Sequence, residues 1–421
     1  MDLPNGTEAV VTVGEFIPPQ NRSTEFVERK GLGHPDTMAD LLADVFSFEY
    51  ADYCLKKHGV VPNHWVDKVT LVGAEAHIDF GDYDIIKPVR ALLLGKITEQ
   101  VGDAEIPLDE LFRTAATEVL IESTRDPAVA DYLRTETMSV TGRTTDHHPH
   151  FYEPDSAGDL SSIIADELVS NDSVLCIASA GQSPLEGFVL DLERAMQSTD
   201  IAAACPGIGT DIKVLAARLA GRIDISMCVP FHPTAVGSWH EYKDCVSVIR
   251  ELIHAAVDEL CPFESSDVEV FLNTKDRPGR GYLAPFGTAL GKGDCGMVGR
   301  GNRGNGLISG LRCAGVEAPS GKNPIHHAGR LYNIAAQHIA DDIYSITGVN
   351  NEVVITSHVG APLEQPATVS VNLAAEVKDT TAVSDIAANW LSRIPVITES
   401  LLAEKPLSRI AQFREARPVR P

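Results

Sequence analysis

The chain has no apolar run long enough to span a bilayer. Its first residues, MDLPNGTEAVVTVGEF, carry neither a basic start nor an apolar stretch of signal-peptide length. No membrane partner is expected, and the cytoplasm is the expected compartment. Paired cysteines are also missing. The eight cysteines lie scattered at positions 54, 176, 205, 228, 245, 261, 295 and 313 without a C-x-x-C. Reduced thiols follow, and no zinc site is suggested. Positive charge is scarce, with 35 Lys and Arg against 59 Asp and Glu and a net charge of −24. That balance argues against a general nucleic-acid or anionic-membrane surface.

A Walker loop is absent too. Lys322 in SGKN lacks both the glycine at the required spacing and the following Ser or Thr. Gly299, Gly301 and Gly304 formally satisfy G-x-G-x-x-G, but no apolar strand precedes them and no helix opens at the third glycine. What remains is an ordinary globular composition of 421 residues, 44% apolar and 22% charged. At roughly 100–200 residues per domain this allows two to four domains.

Periodicity predicts a helix from Pro35 and Asp36, with Met38, Leu41, Leu42, Val45, Phe46 and Tyr53 on one face and a stop at Gly59. A pattern of paired strands followed by a helix then occurs three times. Strands at 68–73 and 89–95 precede a helix near 107–122. A hairpin over 211–229, turning at Ala220 and Gly221, precedes a helix near 240–260. Strands at 352–359 and 368–373 precede a helix near 384–403. A further helix is expected over about 329–344. The class is α+β, with three similar domains over 1–135, 136–275 and 276–421 whose segments are free to interleave.

Against the acidic background, GKGDCGMVGRGNRGNGLI at 291–308 holds seven glycines in its first sixteen residues, with Arg300 and Arg303 among them and Lys322 downstream. Glycine lets a backbone approach a ligand closely, and Arg and Lys supply donors and charge, so a polyphosphate is the expected ligand. RKGLGHPD at 29–36 lands on a helix N-terminus, where free N–H groups favour anions. There His34 can donate to an anionic oxygen, and Asp36 can cap the helix or ligate Mg²⁺. SGKNPIHHAGR at 320–330 repeats the arrangement with Lys322, His326 and His327, and GTDIK adds Lys213 beside Asp211. AGQSPLEG at 180–187 reads as a loop.

VERKGLGHPD, GTDIKV, GDCGMVGRGNRGNGLI and SGKNPIHHAGRLYN together resemble the archaeal-type branch of the methionine adenosyltransferase (S-adenosylmethionine synthetase) family, in order and spacing, over nearly the whole chain. The resemblance implies three similar α+β domains about a pseudo-threefold axis. It also implies a homodimer or dimer of dimers with active sites across the subunit interface. The implied reaction is displacement at C5′ of ATP by the methionine sulfur, with the triphosphate expelled and cleaved to phosphate and pyrophosphate. Mg²⁺ is the implied cofactor and K⁺ a further candidate. By matching motifs, His34 would meet the oxygen departing from C5′ and Asp36 would ligate Mg²⁺. Lys213, Arg300, Arg303 and Lys322 would hold the polyphosphate, with His326 and His327 as further polar contacts. Asp211 and Asp294 would face the ribose or the amino acid.

The acceptor side departs from the family pattern. TGRTTDHHPH at 141–150 places Arg143 where the family's mobile loop has Gln. In NDSVLCIASAG, Asp172 stays placed to pair with an α-amino group, but Leu175, Cys176, Ala178 and Ser179 replace the family's aromatic and glycine positions. Glu75 stands where the archaeal branch tends to have His. Three readings follow: S-adenosylmethionine synthesis, the same transfer to a different acceptor paired with Arg143, or a non-catalytic ATP-binding homologue. The histidines of 146–150 form a weak metal candidate.

Overall fold

The computed structural model describes residues 9–14, 16–140, 152–166, 169–408 and 410. Three mixed sheets, each backed by helices, carry three separate apolar cores. The first has the order β14-β3-β6-β9, from β3 (His64–Val72), β6 (Val89–Ile97), β9 (Leu133–Val140) and β14 (Gly296–Met297). Helices α1 (Pro35–His58) and α2 (Leu108–Thr124) cover it, with Met38, Leu42, Phe46 and Phe112 inward.

The second has the order β13-β12-β11-β2-β15, from β2 (Thr24–Lys30), β11 (Lys213–Leu219), β12 (Arg222–Cys228), β13 (Val268–Leu272) and β15 (Ile308–Ser309). Helices α4 (Pro184–Met196) and α6 (Trp239–Leu260) supply its core residues Leu185, Phe188, Ile249 and Ile253. The third has the order β1-β17-β16-β10, from β1 (Val10–Val13), β10 (Leu175–Ala180), β16 (Asn351–Thr356) and β17 (Thr368–Leu373). Helices α7 (Ala328–Thr347), α8 (Thr380–Ser392) and α9 (Ile394–Ala403) pack on it. Two short helices, α3 (Ala157–Asp166) and α5 (Thr199–Ala204), and the hairpins β4 (Glu75–Asp79) with β5 (Asp82–Lys87) and β7 (Gln100–Val101) with β8 (Ala104–Glu105) lie between these units.

The three units repeat one plan. A long helix (α1, α4 or α7) leads into an antiparallel strand pair (β3/β6, β11/β12 or β16/β17), and a second helix follows. In the first two units that helix returns the chain to a parallel strand, β9 beside β6 and β13 beside β12. In the third, the parallel neighbour of β17 is β1, from the other end of the sequence. The units therefore interleave. Strand β2, within the expected 1–135 segment, lies in the second sheet, and β14 and β15, beyond 275, complete the first and second.

The expected helix over 384–403 is two helices. Pro395 has no N–H to continue the ladder of α8, and the chain restarts as α9. The 180–187 segment is corrected from loop to helix start: Ser183 and Glu186 form a capping box that opens α4 at Pro184. All eight cysteines are free, and no helix among the described residues is long and apolar enough to cross a membrane.

The β11/β12 hairpin turns where expected, with Ala220 at φ 51 and Gly221 at φ 91. A left-handed conformation strains alanine but not glycine. Ala220→Gly should therefore stabilise the protein by about 0.5–1 kcal/mol, read as a higher midpoint in urea with an unchanged slope.

Candidate active site

Four residues separate the end of β2 from the start of α1. Its cap is His34 rather than Asp36: the His34 Nδ1 accepts the Asp36 N–H at 3.1 Å. Asp36, Asp40 and Asp44 then recur at four-residue intervals on one face of α1. Each accepts backbone N–H groups from the glycine-rich part of the chain. Met297 N donates to Asp36 Oδ1 at 3.0 Å, Gly299 N and Gly301 N to Asp40 at 2.6 and 3.0 Å, and Gly321 N to Asp44 Oδ1 at 2.9 Å. A Cβ on Gly296 would collide with the Pro35 carbonyl, and one on Gly301 with the Asp40 carboxylate.

The glycines thus let this segment lie against α1. The amides of Gly299 and Gly301 point into the helix and not toward a ligand, which corrects the expectation of a backbone cradle at those positions. Among the side chains that the segment turns outward are those of Arg300 and Arg303.

The mouth of α1 gathers charge from two strands. In the antiparallel register of β2 and β11, Lys30 stands directly opposite Lys213. Like charges so placed repel. Glu28 is shared between them, 3.7 Å from Lys30 and 3.4 Å from Lys213. Lys30 Nζ also donates to Asp36 Oδ2 at 2.9 Å and to the Arg300 carbonyl at 2.6 Å.

Burial opposes ionisation of Asp36, but the hydrogen bonds from Lys30 and Met297 and the Lys30 charge outweigh it and hold the carboxyl below its usual range. Burial, then the Lys30 charge, pull the His34 imidazole down to about 4. Because its Nδ1 accepts a backbone N–H, the neutral ring carries its proton on Nε2. The mouth therefore offers an uncharged N–H donor, an ionised carboxylate and two ammonium groups.

Behind it, Asp211 is buried, accepts Ala289 N at 2.8 Å, and is pushed up to about 7 by burial, with the Asp294 charge adding to the rise. Asp294 is exposed on the same loop. Glu75 pairs with Lys87 at 2.5 Å and lines a cavity of about 630 Å³ with Lys292 and Gly293, next to Asp294.

Lys322, His326, His327 and Asp172 form a separate group. Lys322 is buried, 3.3 Å from Asp67 and 3.6 Å from Glu317. His326 Nε2 accepts the Trp65 indole N–H at 3.4 Å, and burial pulls its pKa down to about 3. His327, lowered by burial and the Lys322 charge, precedes α7. Asp172 is exposed beside Asn171, whose Oδ1 accepts Ala328 N at 2.8 Å. This group joins α1 at Asp44, through Gly321 and an Arg330 ion pair of 3.0 Å. Asp44 lies eight residues beyond Asp36, about 12 Å along the helix.

Arg303 donates to the Gly299 carbonyl at 3.2 Å and lines a cavity of about 750 Å³ with Arg194 and Gln337, where α1, α4 and α7 meet. Arg143 and the histidines of 146–150 lie outside the described residues. Among the described residues, no group of three or more His, Cys, Asp or Glu could hold a metal ion. The segment 175–180, whose composition departs from the expected acceptor pocket, is strand β10, with Cys176 buried against α7 near Asn333 and Gly329.

The profile of the S-adenosylmethionine synthetase (AdoMet synthetase) family matches residues 8–405. The chain belongs to this family. It is 31% identical over 413 residues to the S-adenosylmethionine synthase of Pyrococcus furiosus, covering 94% of this chain and 98% of that one. It is 33% identical over 409 residues to that of Pyrobaculum aerophilum, covering 93% and 98%. Its fold is similar to that of a solved structure described as an unusual S-adenosylmethionine synthetase from Campylobacter jejuni. That TM-score is 0.53 at 15% identity, covering 94% of this chain and 100% of the other. Membership in this family makes the chain a transferase.

Lys30, Asp40 and Asp44 were not singled out from the sequence. The signal for the two aspartates was their four-residue spacing in PDTMADLLAD, which equally describes a solvated helix face. Asp211 allows a direct check. Its folded pKa lies above the ordinary value, so its contribution to stability is largest below about pH 4 and is lost as pH rises through about 7. Asp211→Asn should raise the melting temperature by several degrees at pH 8 and by little at pH 5. An equal change at both values would remove the buried carboxylate as the cause.

Proposed function

We propose that the protein transfers the adenosyl group of ATP to methionine, yielding S-adenosylmethionine, phosphate and pyrophosphate. The observation that carries this reading is the Lys30–Lys213 pair facing a neutral His34 across the mouth of α1. The two opposed ammonium groups are met only loosely by the shared Glu28, at 3.7 and 3.4 Å, so both keep donors that a polyphosphate would engage more closely. The Nε2–H of His34 would donate to the oxygen that leaves C5′, stabilising its developing charge without carrying charge itself. Lys213 would draw the phosphates along the strand, and Arg300 would close on them from the glycine-rich segment. Holding sulfur, C5′ and leaving oxygen in line supplies the remaining rate.

Asp36 is an ionised hard-oxygen donor and fits Mg²⁺ as one ligand among phosphate oxygens and water. When bound, Mg²⁺ would neutralise charge on the departing triphosphate.

The second group, about 12 Å along α1, completes the site from another copy of the chain. Beside Lys30 and Lys213, the same side of the second sheet presents Phe26 and Leu215 with relative exposures of 39% and 40%. An apolar sheet face continuous with the candidate site suits a homodimer that brings Lys322 and Asp172 of one copy to the His34 mouth of the other.

His34→Ala should lower turnover of ATP and methionine about a hundredfold or more with little change in melting temperature; wild-type turnover would remove His34 from the chemistry. Mixing inactive His34→Ala and Lys322→Met chains should restore activity, up to about a quarter of wild type after random reassociation. No recovery, with mixed dimers demonstrated by mass spectrometry, would place both residues in one copy's site.

A further inference from the structure

We infer that Lys30 is a built-in counter-cation that keeps the mouth of α1 closed to a free divalent ion, so that metal enters only on the phosphates of a bound nucleotide. This rests on the reading of Asp36 as a metal ligand. Lys30 is buried, and its ammonium lies between two carboxylates, 2.9 Å from Asp36 Oδ2 and 3.7 Å from Glu28 Oε1. That is where a cation bridging the two acids would sit. The other Asp36 oxygen accepts Met297 N, and Glu28 is further drawn to Lys213 at 3.4 Å.

Mg²⁺ demands near-octahedral oxygen coordination. Here it would meet two encumbered carboxylates and two ammonium groups, and no third acidic or histidine ligand converges on the site among the described residues. A nucleotide changes this balance. Its phosphates supply the missing oxygen ligands and the negative charge, and they accept the third Lys30 N–H, which has only the distant Glu28 as partner among the contacts of its ammonium. Lys30 is thus a positioning residue: it orders the arrival of the substrates, and it holds the Arg300 peptide against the helix mouth.

The full-length protein can be titrated with Mn²⁺ by electron paramagnetic resonance, with free ion read from the hexaaquo signal, in the presence and absence of the β,γ-imido analogue of ATP. Wild type should take up Mn²⁺ tightly only with the analogue, beyond what the analogue binds in protein-free controls, and Asp36→Asn should lose most of that excess uptake. Without nucleotide, Lys30→Gln should bind Mn²⁺ at least tenfold more tightly than wild type, an increase lost in the Lys30→Gln/Asp36→Asn double variant and absent in Lys30→Arg. Circular dichroism of each variant checks that the fold is retained. Tight, Asp36-dependent binding of Mn²⁺ by nucleotide-free wild type would overturn the inference without any variant. So would an unchanged affinity in folded Lys30→Gln, while leaving Asp36 as a ligand. If wild type with the analogue takes up no Mn²⁺ through Asp36, the reading of Asp36 itself falls, and this inference with it.

Discussion

The row of aspartates on α1 is the constraint on which the rest of this structure depends. Asp36, Asp40 and Asp44 each take backbone N–H groups from a stretch of chain with few apolar side chains of its own to anchor it. Such hydrogen bonds contribute about 0.5–3 kcal/mol each, the upper end where the carboxylate is charged, and together hold such a segment flat on a helix. The row also joins the three units. Asp36 reaches the second sheet through Lys30, and Asp44 reaches the start of α7 through Gly321 and Arg330.

The middle rung differs from its neighbours. Asp36 is paired with Lys30 and Asp44 with Arg330, whereas burial pushes Asp40 up to about 7, with Asp44 and Asp36 adding to the rise against the Gly299 and Gly301 bonds. Asp36 keeps its charge with the help of Lys30, which reaches it from the second sheet. At the mouth of α1, the Met297 N–H that seats the glycine-rich segment also helps hold Asp36 ionised.

Much of this was legible in the sequence, for identifiable reasons. The long helices announce themselves through apolar spacing that burial enforces, as with Met38, Leu42 and Phe46, and the β11/β12 hairpin through its turn residues. Capping and breaking signals are present in Ser183 with Glu186 and in Pro395, but each is a local cue that composition alone does not tell from a loop or from a continuous helix. The importance of Lys30 was not legible, because it arises from pairing with Lys213, far away in the chain, and from the close approach of the Arg300 carbonyl. Local pattern carries no information about such a register. The glycines misled in one respect: they signal close backbone approach, and the surface approached is the protein's own helix.

The third unit borrows its last strand from the opposite end of the polypeptide, with Val10–Val13 lying parallel to β17 at register positions 370–373. The other two units gain their parallel strand through a helix crossover of ordinary length, although each also takes short or edge-side strands from elsewhere in the chain. In the third, the parallel strand itself comes from afar. Its edge forms only after nearly the entire intervening polypeptide has been made and arranged, a closure of the kind that slows folding most. A rearranged gene that moved the first strand to follow α9 would give all three units the same linear order, and would turn the slowest closure in the molecule into a local one.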